Sequence, residues 1–145
     1  MTDNSEVHNF ETGTLKLKIM LAADRNAVDP VVQSVMELVR QIHCEPEKHD
    51  AIELALTEAL ANAVVHGAKG DATKTVECDV VCKEDQSMLI VVRDPGTGFD
   101  PNKIPSPVGG ESLYSDHGRG IFLINQLMDE VKFLNNGTEI HMIKK

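Results

Sequence analysis

A carboxylate and an amide lie one helical turn apart in the first half of the chain. Glu58 and Asn62 are four residues apart, so on a helix their side chains share one face, away from the apolar stripe of Ile52, Leu56, Ala59 and Ala63. Such oxygens suit a magnesium and phosphate site, because Mg²⁺ keeps several waters and takes few protein ligands. Spacing alone favours a simpler interpretation, in which these residues form a solvent-exposed polar face of the helix. The residue type argues against that interpretation, because Asn62 is a poor helix former that lies among alanines and valines.

Two glycine-rich segments follow, and each has an ordinary alternative. Asp94 ends a predicted strand, and Gly96 and Gly98 behind it would let the backbone approach a ligand while the carboxylate accepts from a base or amine. Gly118-Arg119-Gly120 directly precedes an apolar run, so helix amides and the arginine could receive phosphate oxygens. Taken alone, the first segment is more simply interpreted as an ordinary Asp-Pro-Gly turn. For the second segment, a flexible hinge before a core helix is as good an interpretation as a phosphate site.

The elements that must position these residues follow from hydrophobic periodicity. Alternation from Leu15 to Leu21 predicts a first strand, and alternation over residues 74–93 predicts a hairpin that turns at residues 83–86. Val131 to Leu134 and Thr138 to Ile143 form a second hairpin, because Asn135-Asn136-Gly137 tolerates the positive backbone angles of a primed turn. We therefore expect about five strands.

Helical spacing predicts three helices. Asp29-Pro30 begins the first, which should end near Cys44, and Glu45-Pro46 begins the second, which Gly67 stops. The third is the apolar run that follows Gly120. Residues 1–12 should be a loose lead-in, and residues 99–117 a lid. These elements predict an α+β fold: a two-layer α/β sandwich with one mixed sheet and helices on one face.

Composition excludes several classes of protein. The 145 residues suit one domain, with 41% hydrophobic and 26% charged residues and a net charge of -9. The negative charge disfavours a nucleic-acid partner. No apolar run spans a membrane and no secretory signal is visible, so we expect a cytoplasmic protein. Cys44, Cys78 and Cys82 are an odd count, which indicates buried thiols in a reducing compartment.

In order, the motifs resemble the N, G1 and G2 boxes and the late threonine of the GHKL (Bergerat-fold) ATPase superfamily. They are Glu58 to Gly67, Asp94 to Phe99, His117 to Ile121, and Gly137-Thr138. Within that superfamily the chain resembles the stand-alone bacterial anti-sigma-factor serine-protein kinases, and the resemblance spans roughly residues 10–143. It is less specific for the kinase branch than for the ATP-binding fold.

The resemblance implies a role for each motif residue. Asn62 would bind Mg²⁺, Asp94 would accept from the adenine amino group with Thr138 near it, and Glu58 would be the general base. The phosphates of ATP would be surrounded by Gly96, Gly98, Gly118, Arg119 and Gly120. Lys103 is the sole cation that the predicted lid offers before Arg119, so which group meets the γ-phosphate stays open.

Two functions follow from the resemblance. The first is an ATP-dependent serine-protein kinase that acts on an anti-anti-sigma-type partner. Sequestration of a sigma factor by the same protein is left open as an additional function. The second is a nucleotide-gated protein-binding module with little or no phosphoryl transfer, in which the lid closes on ATP. Because no phosphoacceptor-histidine helix is visible, a complete histidine kinase is disfavoured. Related kinases commonly dimerise, which leaves a homodimer open.

Overall fold

The structure, a computed structural model, describes residues 4–11, 14–41, 46–98 and 116–145. Within these ranges six strands form one sheet: β1 (Asn4–Glu11), β2 (Thr14–Ala22), β3 (Thr75–Cys82), β4 (Met88–Arg93), β5 (Glu130–Leu134) and β6 (Glu139–Lys144). Their order is β1-β2-β3-β4-β6-β5, and every neighbouring pair is antiparallel. The predicted α+β sandwich is confirmed, although the sheet is antiparallel throughout rather than mixed and has six strands rather than about five.

The additional strand lies where we expected a loose lead-in. The backbone of β1 pairs with β2 from Asn4 opposite Met20 to Glu11 opposite Thr14, with an irregularity between His8 and Glu11. An edge strand is held by its ladder of backbone hydrogen bonds, and such a strand needs no continuous apolar period. The expectation for residues 4–11 was therefore wrong, because the sequence pattern reports burial and not backbone pairing.

Alternation along the strands separates two faces of the sheet. One face is buried under the helices and holds the side chains of Ile19, Cys78, Ile90 and Met142, each 0% exposed. The opposite face holds the intervening residues, among them Lys18, Asp79, Arg93 and Glu139. Both predicted hairpins are present. This division means that consecutive residues at a strand end are directed to opposite sides of the sheet.

Three helices cover the buried face: α1 (Arg25–Gln41), α2 (Pro46–Asn62) and α3 (Asp116–Leu127). Helix α1 begins earlier than predicted, since the Asp24 carboxylate accepts from the Asn26 amide at 2.9 Å and acts as the cap. Asp29 and Pro30 lie inside the helix. The predicted cap was wrong because it depended on the Asp29-Pro30 pair, whereas Asp24, which caps the helix, is followed by Arg25.

Helix α3 also begins earlier than predicted. It starts at Asp116, so Gly118, Arg119 and Gly120 lie within its first turns and not before it. The predicted lid falls almost wholly outside the described residues, as do Phe99 and Lys103. No helix in the described ranges is long and apolar enough to cross a membrane.

Helix α2 ends in a π-helical turn, Ala63–Gly67. The Ala68 amide donates to the Ala63 carbonyl, five residues back, at 2.8 Å. Lys69 and Gly70 then take positive φ angles of 55° and 69°, and the Gly70 amide donates to Val64 at 2.9 Å, which ends the helical segment. A π-helical turn adds a residue to the helical path and often occurs at functional sites.

Two of the three cysteines lie in β3 on the buried face. Cys78 and Cys82 are both buried, which confirms the predicted buried thiols at these positions. Burial raises the pKa of the Cys78 thiol to about 12, against a weaker lowering by Arg93. A thiol in this state is a packing residue and not a nucleophile. Cys44 lies outside the described residues.

Candidate functional site

A cleft of about 190 Å³ opens between the sheet and the ends of α2 and α3. Four of the predicted site residues line it: Asn62, Asp94, Gly98 and Thr138. Apolar side chains complete the lining, from β4 (Val92), β5 (Phe133), β6 (Ile140) and the helices (Ala59, Ala63, Ile121, Ile124). A concave, mostly apolar site with a few polar groups is the usual form of a small-molecule pocket.

Asp94 is fixed at one end of this cleft by the strand that it follows. Its amide donates to the Thr138 carbonyl at 2.9 Å, and its Oδ1 accepts from the Gly96 amide at 2.8 Å. Burial raises the pKa of the Asp94 carboxyl, while the bond from Gly96 opposes that change. A half-buried carboxylate with a raised pKa is stabilised by a ligand that supplies a hydrogen-bond donor.

Gly67 and Gly96 both pack directly on the Asp94 carboxylate and on each other. A Cβ atom at Gly67 would lie 2.5 Å from Asp94 Oδ1 and 2.6 Å from its Cβ. At Gly96 it would lie 2.9 Å from Asp94 Oδ1 and would overlap the Gly67 carbonyl oxygen. Both positions therefore require glycine, because any side chain would displace the carboxylate or the backbone beside it. Gly96 orients Asp94 and is not itself among the residues that line the cleft.

The turn between β5 and β6 forms the adjoining wall. Asn135, Asn136 and Gly137 have φ angles of 53°, 58° and 83°, as predicted for this turn. Gly98, with φ 85°, packs so closely that a Cβ there would overlap the Asn136 carbonyl oxygen. The Thr138 hydroxyl donates to the Asn135 carbonyl at 2.8 Å and keeps its capacity to accept. The contact between Gly98 and Asn136 joins the first glycine-rich segment to the turn that leads into Thr138.

Glu58 and Asn62 meet the start of α3. A Cβ at Gly120 would lie 2.9 Å from Glu58 Oε2 and 3.0 Å from Asn62 Nδ2, so both side chains lie against the Gly120 backbone. Both are half-buried, and Asn62 faces the cleft. The structure thus brings Glu58, Asn62 and Gly120 together.

Gly118 and Arg119 precede Gly120 in the first turn of α3. Gly118 is buried and Arg119 is exposed. Neither is among the residues that line the cleft. Gly120, the next residue, packs on Glu58 and Asn62 but is not a lining residue either.

Sequence reasoning missed several contributors. Gly67 was predicted to stop the second helix, and no binding role was predicted for it or for His66, yet both line the cleft. Asn136 contacts Gly98 through its backbone, which no side-chain pattern reports. A glycine at a helix end followed by further glycines could have suggested Gly67. The apolar lining carries no such signal, because Val92, Ile140 and Ile124 look like ordinary core residues.

Comparison with known proteins agrees with this geometry. A family model described as a histidine kinase-like ATPase domain matches residues 21–144. Similar proteins include the anti-sigma F factors of Bacillus thuringiensis (strain Al Hakam) and Bacillus mycoides (strain KBAB4). Each is 28% identical over 116 residues, which cover 77% of this chain and 79% of the relative. The resemblance carried by the four motifs is confirmed, and the chain belongs to the histidine kinase-like ATPase domain family.

Proposed function

We propose that the protein is an ATP-dependent serine-protein kinase that phosphorylates an anti-anti-sigma-type partner. Membership of an ATPase-domain family implies that it binds ATP. The step from ATP binding to kinase rests on one observation: the Glu58 carboxylate packs on the same glycine, Gly120, as the side chain of Asn62. Asn62 lines the cleft, whereas Glu58 and Gly120 are not among its lining residues.

The end of the cleft that holds Asp94 suits adenine. The adenine amino group is a donor, and Asp94 is a half-buried acceptor held by Gly96 and by the backbone bond to Thr138. Thr138 lines the same end, and the apolar side chains of Val92 and Ile140 offer the flat ring a surface. Asp94 and Thr138 would therefore select the base, while Gly96 and Gly98 let the backbone approach closely.

The other end suits a magnesium ion and phosphates. Asn62 lines the cleft and carries an amide oxygen, and the missing side chain at Gly120 lets Asn62 pack closely on the backbone of α3. These residues fit Mg²⁺, which takes few protein oxygens. When bound, Mg²⁺ neutralises phosphate charge. Gly118, Arg119 and Gly120 would flank the phosphates, and the exposed guanidinium of Arg119 would add positive charge to an acidic protein.

Glu58 is the proposed general base. It lies one turn before Asn62 and reaches the same glycine of α3, so a serine hydroxyl presented from outside could donate its proton to this carboxylate. Proton acceptance by a positioned side chain contributes about 10²–10⁴-fold to a rate. Most of the remaining acceleration in phosphoryl transfer comes from positioning and charge neutralisation.

The partner is proposed from the relatives. The similar Bacillus proteins are named anti-sigma F factors, which supports an anti-anti-sigma-type protein as the substrate and a sigma factor as a sequestered partner. Such partners place the protein in the cytoplasm.

Incubation with γ-labelled Mg-ATP and a purified anti-anti-sigma-type protein tests the proposal. The wild type should produce phosphoserine on the partner, and Glu58→Gln should reduce transfer about 100-fold with ATP affinity nearly unchanged. Glu53→Gln, on the same helix but paired with Arg40 at 3.5 Å, is the matched control and should transfer normally. Wild-type protein that binds ATP yet labels no serine would refute the kinase proposal.

A nucleotide-gated binding module with little or no transfer is the second candidate. The relatives' name, which describes a factor that opposes a sigma factor, favours this function as well. It predicts that affinity for a sigma factor differs between the ATP-bound, ADP-bound and free forms. Equal affinity in all three forms would refute it.

A further inference from the structure

An ionic cluster lies on the sheet face opposite to the cleft, directly behind Asp94. Arg93 occupies its centre: Nη1 lies 2.5 Å from Asp79 Oδ2 and 4.0 Å from Glu77 Oε2, and Nε lies 3.0 Å from Glu139 Oε1. His141 Nε2 lies 2.5 Å from the second oxygen of Glu139. One guanidinium therefore joins the carboxylates of β3 on one side to that of β6 on the other.

The cluster coincides with the last ladder pair before the cleft. Arg93 and Glu139 are directly opposite each other on β4 and β6. The next residues are Asp94 and Thr138, and the Asp94 amide donates to the Thr138 carbonyl at 2.9 Å. Any change in the separation of β4 and β6 at the ion pair is therefore transmitted to the two residues at the base end of the cleft.

Glu139 is held as a charged group although it is largely buried. Its side chain is 13% exposed, and its pKa is lowered first by the hydrogen bond with His141 and further by Arg93, against the opposing effect of burial. Asn135 Nδ2 also donates to Glu139 Oε1 at 3.2 Å. Glu139 thus fixes both the strand and the first residue of the turn that forms the cleft wall.

We propose that the Arg93–Glu139 pair is a positioning element for base recognition: from the far side of the sheet it sets the separation of Asp94 and Thr138. The ligand part of this inference rests on the proposed ATP site. The pair lies on the face of the sheet opposite to the cleft-lining Val92 and Ile140, so it would act without contacting the nucleotide. Its effect should appear in the discrimination between bases, because adenine presents an amino donor where guanine presents a carbonyl acceptor, and only an acceptor held in place distinguishes them.

Asp79 offers a matched control. It binds the same guanidinium at 2.5 Å, but it lies on β3 opposite Val91, on the side of β4 away from β6. Glu139→Gln and Asp79→Asn each replace a carboxylate by an amide of the same shape. A purely structural role predicts similar consequences for both variants, whereas a positioning role predicts an effect on nucleotide recognition for Glu139→Gln alone.

The experiment measures ATP and GTP affinity by calorimetry for the wild type and both variants. We expect Glu139→Gln to lose about fivefold in ATP affinity and a similar factor in the ratio of ATP to GTP affinity, and Asp79→Asn to keep both within about twofold. Equal behaviour of the two variants, or an unchanged ratio in Glu139→Gln, would overturn the inference. Wild-type protein that does not bind ATP would overturn the proposed ATP site and this inference with it.

A second measurement does not depend on nucleotide. Hydrogen exchange at the Asp94 amide reports the bond to Thr138, and it should be about fivefold faster in Glu139→Gln than in Asp79→Asn. Equal exchange in the two variants would contradict positioning. If Glu139→Gln does not fold, Arg93→Lys replaces it, since lysine keeps the charge but cannot bind both strands with a planar fork. The same loss of base discrimination is then expected, and an unchanged ratio overturns the inference.

Discussion

The two ends of the cleft are built by different means. At the base end Asp94 is held by backbone: a ladder bond to Thr138, an amide from Gly96 and the close packing of Gly67. At the opposite end Glu58 and Asn62 are side chains on one helix that lie against Gly120 of another. The first end is set by strand register, and the second by how two helices pack.

This difference indicates that nucleotide recognition and phosphoryl transfer are separable. A change at the base end should alter ATP affinity, since Asp94 has no other role in the proposed reaction. A change at Glu58 should alter transfer, since the carboxylate is not needed to hold the base. A substitution at one end of the cleft should therefore leave the function of the other end intact.

The largest expected effect is at Gly67. In Gly67→Ala the new Cβ would collide with the Asp94 carboxyl, so the carboxylate must move and its bond to the base is lost. We expect ATP affinity to fall about 100-fold, measured by calorimetry. Gly70→Ala is the control, because Gly70 has φ +69° but no atom within 4 Å of its Cβ position. It should cost about 1 kcal/mol of stability and leave affinity unchanged, and equal affinities for the two variants would contradict the account.

Asp94→Asn comes next, and its effects on affinity and stability should differ. Loss of the charged acceptor should reduce ATP affinity about tenfold. Because burial raises the pKa of Asp94, the native state binds a proton more readily than the unfolded chain. Wild-type stability should therefore rise relative to Asp94→Asn as the pH falls from neutral through the raised pKa.

Urea unfolding of both proteins at neutral and acid pH measures this difference. At pH 7 the variant should be at least as stable as the wild type, because it lacks a desolvated charge. The opposite result would be a variant that is less stable than the wild type at pH 7 and whose relative stability increases as the pH falls. That result would show that folding lowers the pKa of Asp94 and does not raise it.

Gly120→Ala tests the transfer end with a smaller change. The new methyl group would lie 2.9 Å from Glu58 Oε2 and 3.0 Å from Asn62 Nδ2, and these flexible ends can shift by a few tenths of an ångström. Transfer should fall about tenfold. Stability should rise by up to about 1 kcal/mol, because alanine favours a helix over glycine. Single-turnover assays and thermal unfolding give the two values, and unchanged transfer would separate Gly120 from the reaction.

The smallest effect is expected at Asn136. Its φ is 58°, which glycine adopts without strain, and Gly98 packs mainly on its backbone oxygen. Asn136→Gly should therefore change neither ATP affinity nor stability by more than about 0.5 kcal/mol. Gly98→Ala should lower both, because a Cβ there meets that oxygen at φ 85°. A large loss in Asn136→Gly would mean that its side chain contributes to the wall.

Much of the fold and part of the candidate site could be predicted from the sequence. The alternation of Val76, Cys78 and Val80 predicted β3, and the Asn-Asn-Gly turn predicted the last hairpin. The spacing of Glu58 and Asn62 predicted that they share a helix face, which the structure places against Gly120. These predictions succeeded because periodicity reports which side chains are buried, and both hairpins are buried on one face.

The features that the sequence did not predict depend mostly on backbone contacts. Strand β1 is joined to the sheet through its ladder of backbone hydrogen bonds. In the Gly67–Asp94 and Gly98–Asn136 contacts one partner is a glycine, which has no side chain for a sequence pattern to report. The cap at Asp24 was missed because the prediction depended on the Asp29-Pro30 pair, and Asp24 has no proline after it. The Arg93 cluster was invisible for a further reason: Asp79, Arg93 and Glu139 are brought together only by the register of three strands.

The division of labour is tested most directly by measuring ATP affinity and serine phosphorylation together in Glu58→Gln and Asp94→Asn. Glu58→Gln should bind Mg-ATP within about twofold of the wild type and lose about 100-fold in the single-turnover transfer rate. Asp94→Asn should lose affinity instead, with its transfer rate recovering as the ATP concentration rises. Wild-type transfer by Glu58→Gln, or equal losses of affinity in both variants, would contradict the account.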